Sequence, residues 1–202
     1  MKIFAHRGLW TFEEDQNSLS AIHLAFQNSL SVEIDLWKKD DSGNIWVGHD
    51  ISNAKTNLAD VIKCWTEFPN CDLALNIKCD GLLGYLCAHF EPLKALEIGK
   101  YFAFDMSMPE RYQYLKNSFP IAYRVSEFET EELQSMDKLI WLDSFESDWY
   151  LSLEPQELSS LLSRSIVVSP ELHNRSPEAV YSLIRRYTTY GICLDSVEKV
   201  SR

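Results

Sequence analysis

The chain of 202 residues is long enough to bury one substantial hydrophobic core, and 46% hydrophobic with 24% charged residues is ordinary for a globular protein. Its formal net charge of −11 gives a surface that repels nucleic-acid backbones and anionic membranes. Nucleic acid is therefore not expected as a partner, although a local cationic pocket is compatible with this charge.

Short apolar runs rich in Ile, Val, Phe, Tyr and Trp recur at a steady interval along the chain. Continuous rather than alternating apolarity is typical of strands that are buried on both faces, as in a parallel sheet. The pattern predicts eight strands, over residues 2–5, 31–36, 73–78, 101–105, 121–124, 139–142, 165–168 and 191–194.

Helical patterns lie between these strands. In the first, apolar residues recur with Ser and Ala between them, and Asn17 or Ser18 is suited to be its N-cap. Three of the others begin with Pro, which fits the first turn of a helix. The predicted helices cover residues 17–26, 58–68, 82–90, 109–115, 131–136, 155–162 and 177–187.

Eight strands that alternate with helices at a spacing of about 25 residues are the rhythm of a lean TIM (β/α)8 barrel. We expect residues 1–202 to form one such α/β domain with parallel strands. An open doubly wound sheet is the alternative fold. A turn signal and a short extended run follow the second strand, within WKKDDSGNIWVGHD, and predict a small hairpin-like insertion there.

Ionisable residues gather at the ends of the first four predicted strands, where a parallel barrel carries its chemistry. The first strand ends in His6-Arg7, the second carries Glu33 and Asp35 on one side, and the third ends in Asn76-Ile77-Lys78. Asp105 ends the fourth strand, and the insertion after the second strand ends in His49-Asp50.

A hard divalent cation would remove the cost of burying two neighbouring carboxylates, and oxygen ligands suit Mg²⁺ or Ca²⁺. Two imidazoles can act as general acid and base, and an arginine with a nearby lysine offers fixed charge for phosphate. Taken singly, each residue has a plain structural explanation, such as an ion pair or a packed histidine. Their coincidence at one predicted edge points to phosphoryl chemistry.

These residues resemble the glycerophosphodiester phosphodiesterase family. The resemblance rests on AHRG, QNSLSAIHLAF, VEIDL and DDSGNIWVGHD, whose order and spacing agree with the family pattern over about residues 3–50. A weaker match continues through residues 73–78, and beyond Lys78 only the barrel rhythm supports it.

The resemblance implies a metal-dependent TIM barrel that hydrolyses a glycerophosphodiester or a related polyol or sugar phosphodiester. It implies His6 and His49 as the acid–base pair and Arg7 as a catalytic phosphate clamp. It further implies a metal site formed by Glu33, Asp35 and the residue at position 76. Lys78 would lie near the phosphate.

Two positions depart from the family pattern. Asn76 stands where a metal-binding Glu is usual, and Gln16 stands where Glu is usual. An amide oxygen can still ligate Mg²⁺ or Ca²⁺, but the site loses a negative charge and its metal affinity should fall. Asp105 is a candidate to supplement the metal site or to contact substrate.

Two other functions stay open at this point. The chain could be a catalytically weakened barrel that binds a phosphorylated ligand without turnover, as Asn76 and Gln16 suggest. It could also be a lyase that releases a cyclic phosphate. Trp10, Trp37 and Trp141 fall near strand ends, where their rings could stack on a sugar or lie in the core.

Five cysteines, an odd number without a C-x-x-C pair, favour reduced thiols and a cytoplasmic location. His6 and Arg7 interrupt the first apolar run too early for a secretory signal. No apolar run approaches the ~20 residues of a membrane span. We expect a small-molecule or glycan phosphodiester as the partner of this chain.

Overall fold

Strands and helices alternate along the polypeptide, which a computed structural model describes over residues 1–39, 43–96, 99–129 and 138–197. The strands are β1 Lys2–His6, β2 Ser31–Lys38, β3 Ile45–Val47, β4 Thr56–Asn57, β5 Leu73–Ile77, β6 Tyr101–Phe104, β7 Tyr123–Val125, β8 Ile140–Leu142, β9 Ser165–Val168 and β10 Gly191–Leu194. The helices are α1 Leu19–Gln27, α2 Leu58–Trp65, α3 Leu83–Phe90, α4 Met108–Lys116, α5 Pro155–Ser163 and α6 Glu178–Arg186.

The predicted alternation is confirmed where the chain is described. All eight predicted strands are present, and the last two have the predicted bounds. Six of the seven predicted helices are present, while the one predicted over residues 131–136 lies outside the described residues. The predicted hairpin-like insertion is also present, because β3 and β4 follow β2 before α2 begins.

One compact unit comprises residues 5–121 and contains a mixed sheet. Strand β2 pairs in parallel with β5, which pairs in parallel with β6. The end of β2 also pairs antiparallel with β3, in the register Leu36 with Val47, and β3 pairs antiparallel with β4. The antiparallel hairpin thus extends from β2, the strand that carries both acidic residues.

The other compact unit comprises residues 1–4 with the described part of 122–202. Its strands β7, β8, β9 and β10 pair in parallel in that order. The backbone N–H of Lys2 donates to the carbonyl of Tyr190, just before β10. Each unit therefore has the strand–helix–strand rhythm of an α/β protein, and the prediction of a single domain over 1–202 stays a prediction.

The strands are apolar because both of their faces are covered. All four residues of β9 and all four of β10 are buried. Helix α2 shows the complementary pattern, since it buries Leu58, Val61, Ile62 and Trp65 at helical spacing and turns Asp60 and Lys63 outward. Ser18 caps α1 by accepting a hydrogen bond from the backbone N–H of Ala21.

The five cysteines are free thiols, two of them buried and three half-buried. In the part of the chain that the structure describes, every helix is too short or too polar to span a bilayer. The cytoplasmic location stays a prediction.

Candidate active site

Most of the predicted site residues meet within the unit of residues 5–121, at the ends of β1 and β5 and along β2. Backbone hydrogen bonds position them. The backbone N–H of Arg7 donates to the carbonyl of Glu33, and the backbone N–H of Lys78 donates to the carbonyl of Leu36. The N–H of Gly48 donates to the carbonyl of Asp35, and this bond brings the neighbouring His49 back from the hairpin to β2.

Strand β1 ends in a sharp turn that begins at Arg7. Arg7 and Gly8 both have positive φ angles, 59° and 92°. For a residue with a side chain this conformation costs about 1–2 kcal/mol, so the turn holds Arg7 in a strained backbone. A Cβ atom at position 8 would lie 2.7 Å from the backbone carbon of Ala21 in α1. The His-Arg-Gly motif therefore needs glycine for its close approach to the helix.

Replacing Gly8 with alanine is expected to lower the free energy of unfolding by about 3 kcal/mol, because it combines left-handed strain with a backbone clash. Gly81 is the matched control, since its φ is 84° and no atom of the described residues lies within 4 Å of a Cβ there. The Gly81→Ala variant should lose only about 1 kcal/mol. Urea denaturation of the three proteins measures both values. Equal losses in the two variants would contradict the clash.

Asp35 is the centre of the site's charge network. Its carboxylate is fully buried and lies 2.9 Å from Arg7 Nε and 3.2 Å from Lys78 Nζ. Burial alone would raise the pKa of Asp35, but His49, Lys78 and Arg7 outweigh burial and hold that pKa well below its usual range. Asp35 is therefore ionised at neutral pH and fixes both cations in the site.

Glu33 is also buried, but the positive charges of His6, Arg7 and Lys78 do not outweigh its burial and the charge of Asp35. His6 Nε2 lies 3.9 Å from its Oε2 atom, which accepts no hydrogen bond among the described residues. Burial, reinforced by the charge of Asp35, raises the pKa of Glu33 from 4.5 to about 6. The ionised form of Glu33 is therefore unfavourable in this site, and a cation would stabilise it.

Because the folded state binds the Glu33 proton more tightly than the unfolded state, this group stabilises the fold most below pH 4.5. That contribution, about 2 kcal/mol, is lost as the pH rises through 6. In chelator, Glu33→Gln should therefore be more stable than the parent at pH 8 by up to about 2 kcal/mol. Urea denaturation between pH 4.5 and 8 measures this, with the exposed Glu157→Gln as control. Parallel stability curves for parent and variant would refute it.

The two histidines differ in their surroundings. The side chain of His6 is 15% exposed and that of His49 is 47% exposed. Nη2 of Arg7 lies 2.7 Å from Nδ1 of His49, and the same Nδ1 lies 3.8 Å from Oδ2 of Asp35. His6 instead faces Glu33. One imidazole is therefore placed beside a carboxylate and the other beside a guanidinium.

Two tryptophans hold the histidine backbones. The indole N–H of Trp10 donates to the carbonyl of His6, and that of Trp37 donates to the carbonyl of His49. The sequence suggested these residues only as platforms for a sugar or as core. Trp141 is buried, with 4% of its surface exposed, and belongs to the core.

Sequence reasoning missed the roles of Gln16 and Asn17. Gln16 accepts a hydrogen bond from the guanidinium of Arg7 over 2.9 Å. Asn17, which was a candidate helix cap, is buried and bonds Asp35 instead, while Ser18 caps the helix. An asparagine directly before an N-cap serine was the available signal, because asparagine tolerates left-handed φ better than most residues.

Oxygen atoms suited to a hard cation are present. Glu33 Oε2 and Asn76 Oδ1 are buried and form no hydrogen bond within the described chain. Asn76 is the register partner of Asp35, and Asp105 directly follows β6, whose Phe104 is the partner of Asn76. Among the described residues, no three His, Cys, Asp or Glu side chains are grouped so as to hold a metal. The donor chemistry fits Mg²⁺ or Ca²⁺ only if the amide of Asn76 contributes.

A cleft of about 270 Å³ opens beside His49. It lies between the loop before α1 and the hairpin, and polar residues from both line it, among them Glu13, Glu14, Asn53, Lys55 and Thr56.

Comparison with solved structures finds proteins with a similar fold. A glycerophosphodiester phosphodiesterase from Parabacteroides distasonis aligns with a TM-score of 0.70 and 16% sequence identity. The alignment covers 99% of this chain and 94% of that enzyme's chain. The chain has the fold of this enzyme. A phosphodiesterase from Oleispira antarctica, solved in complex with the product sn-glycerol-3-phosphate, aligns with a TM-score of 0.65 and 18% sequence identity. The alignment covers 100% of this chain and 95% of that protein's chain.

The resemblance suggested by the sequence motifs is therefore confirmed at the level of the fold. No family model matches the sequence. No curated protein matches it either.

Proposed function

We propose that this chain is a phosphoric diester hydrolase that acts on a glycerophosphodiester or a related polyol or sugar phosphodiester. The observation that carries the proposal is the convergence of His6, His49, Arg7 and Lys78 on the two acidic residues of β2. The likeness of the fold to two phosphodiesterases over almost the whole chain supports it. We also propose that the strands close into a TIM barrel, which that likeness favours.

In the proposed mechanism, Arg7 and Lys78 hold the non-bridging oxygens of the phosphate, and Asp35 keeps both cations in place. One histidine takes the proton of the attacking oxygen as that oxygen bonds to phosphorus; the oxygen comes from water, or from a vicinal hydroxyl, in which case water opens the resulting cyclic phosphate in a second step. The other histidine gives a proton to the leaving alcohol as its bond to phosphorus breaks. The polar cleft beside His49 suits the hydroxyl groups of the substrate.

A divalent cation, Mg²⁺ or Ca²⁺, is part of this proposal. Glu33, Asp35 and Asn76 would hold it, and when bound it would supply Lewis acidity toward a phosphate oxygen. Asp105 is proposed to supplement the site with charge. Equal metal affinity and turnover in Asp105→Ala and the parent would remove Asp105 from the proposal.

Turnover of defined diesters tests the function. Glycerophosphocholine, glycerophosphoglycerol and bis(p-nitrophenyl) phosphate are incubated with Mg²⁺, Ca²⁺ or EDTA, and products are identified by ³¹P NMR. Release of a phosphomonoester that is at least about a hundredfold slower in His6→Ala supports a hydrolase. Accumulation of a cyclic phosphate would identify a lyase instead. Phosphate binding without turnover under any condition would favour the binding protein that Asn76 and Gln16 suggest.

The amide at position 76 should weaken the cation site. Asn76→Glu is expected to tighten Mg²⁺ binding at least about tenfold, because it adds a negative charge at position 76, whose amide oxygen forms no hydrogen bond with the described residues. Isothermal titration of the metal-free protein measures the change. Gln156→Glu, on the exposed side of α5, makes the same change of charge elsewhere and should leave Mg²⁺ affinity unaltered. The proposed role of Asn76 would be wrong if the two variants behaved alike.

A further inference from the structure

Asn17 lies in the loop between β1 and α1, outside the set of predicted catalytic and metal-binding residues. It is 2% exposed, and its φ angle of 61° is left-handed. Because Ser18 already caps α1, capping does not explain a buried asparagine in this strained conformation.

Two hydrogen bonds join the amide of Asn17 to Asp35. Asn17 Nδ2 donates to Asp35 Oδ2 over 3.0 Å, and Asn17 Oδ1 accepts from the backbone N–H of Asp35 over 3.3 Å. This pairing fixes the carboxylate relative to its own backbone. The same oxygen, Oδ2, lies 2.9 Å from Nε of Arg7. The carboxylate is therefore one of the groups that hold the guanidinium, together with Gln16 and His49.

The backbone of Asn17 connects the same groups. Its N–H donates to the carbonyl of Arg7 over 2.9 Å, and its carbonyl accepts from the hydroxyl of Thr56 over 2.8 Å. Thr56 begins β4, so this bond ties the hairpin that carries His49 to the loop that carries Arg7. Asn17 thus contacts β2, the Arg7 turn and the hairpin at once.

We infer that Asn17 is a positioning residue, which acts through Asp35 to hold the guanidinium of Arg7 where phosphate binds. The inference rests on the proposed function. The chemistry requires asparagine: a carboxylate at position 17 would have no proton to donate to Asp35 and would repel it, and serine would not offer the paired donor and acceptor. Asparagine also tolerates the left-handed φ.

Two variants separate this role from packing. Asn17→Gly adopts the φ angle without strain and removes the amide, while Asn17→Asp keeps the shape but loses the donor. Both are expected to weaken binding of inorganic phosphate by about 10–100-fold, with Asn17→Asp affected at least as strongly as Asn17→Gly. Calorimetric titration with phosphate measures this in metal-free protein, and kcat and KM for a diester are measured beside it.

Asn174→Gly is the matched control, because Asn174 is exposed and also left-handed, with a φ angle of 57°. It should bind phosphate like the parent. Phosphate affinity at the parent level in either Asn17 variant would overturn the inference. So would a parent protein that binds no phosphate.

A milder variant decides the matter if both Asn17 variants fail to fold. Thr56→Val removes only the hydroxyl bond to the Asn17 carbonyl and should weaken phosphate binding about threefold or more. Unchanged affinity in that variant would also overturn the inference. If the parent binds phosphate but hydrolyses no diester, the proposed function fails while these affinities still test Asn17.

Discussion

Replacing His6 or His49 with alanine is expected to lower kcat for diester hydrolysis by about 10²–10⁴-fold, because each variant removes one of the two groups that transfer protons in the proposed mechanism. The residual rate should come from Arg7 and Lys78, which still bind the phosphate. KM should change much less than kcat, since neither imidazole is the main phosphate ligand in the proposed mechanism. Steady-state kinetics with a chromogenic diester separates the two parameters.

His23→Ala is the control for this prediction. His23 lies on the exposed side of α1, where its ring contacts Phe68, outside the candidate active site. The variant should keep the parental kcat. A His6→Ala or His49→Ala protein that folds normally and retains more than about a tenth of the parental kcat would contradict general acid–base catalysis by that residue.

Removing Asp35 should be the most damaging change to stability. We expect Asp35→Ala to lower the free energy of unfolding by about 3–5 kcal/mol at pH 7, because Arg7 and Lys78 would lose their buried counter-ion. The folded-state pKa of Asp35 is depressed, so its contribution is present above pH 3.8 and is lost as the pH falls through the folded value. The gap between parent and variant should therefore narrow in acid.

Chemical denaturation at pH 7 and at pH 3 measures both effects. Glu129→Ala is the comparison, because Glu129 forms an exposed ion pair with Arg124, and such pairs contribute only about 0–1 kcal/mol. A loss in Asp35→Ala no greater than in Glu129→Ala would mean that the buried network does not stabilise the fold.

The strands were predictable because each is a continuous run of apolar residues that can be recognised in the sequence by itself. In β9 and β10, a continuous apolar run is bounded by polar or small residues, and both faces of the strand are buried. Helix ends are less predictable, because an apolar residue that fits the helical spacing can lie beyond the last turn. The apolar pattern predicts that α2 extends to Phe68, yet the helix ends at Trp65 and Phe68 stacks on Phe26.

The meeting of His6, Glu33, Asp35 and Lys78 was predictable because the carboxyl ends of parallel strands share one edge of a sheet. The contacts of Gln16, Asn17 and the two indole N–H groups were not predictable in this way. They depend on left-handed backbone conformations and on bonds between segments distant in sequence, such as Thr56 with Asn17, which no periodicity encodes.

The turn that ends β1 has a consequence for protein engineering. Arg7 and Asn17, in the loop between β1 and α1, both have left-handed φ angles, and this strain lowers the stability of the fold. A selection for heat resistance would favour replacements that relax this loop, since relief of strain is an accessible way to raise the melting temperature. Heat-resistant variants obtained in this way would therefore tend to lose the arrangement of Arg7 and Asp35, and stability is better raised by altering the helices of the other unit.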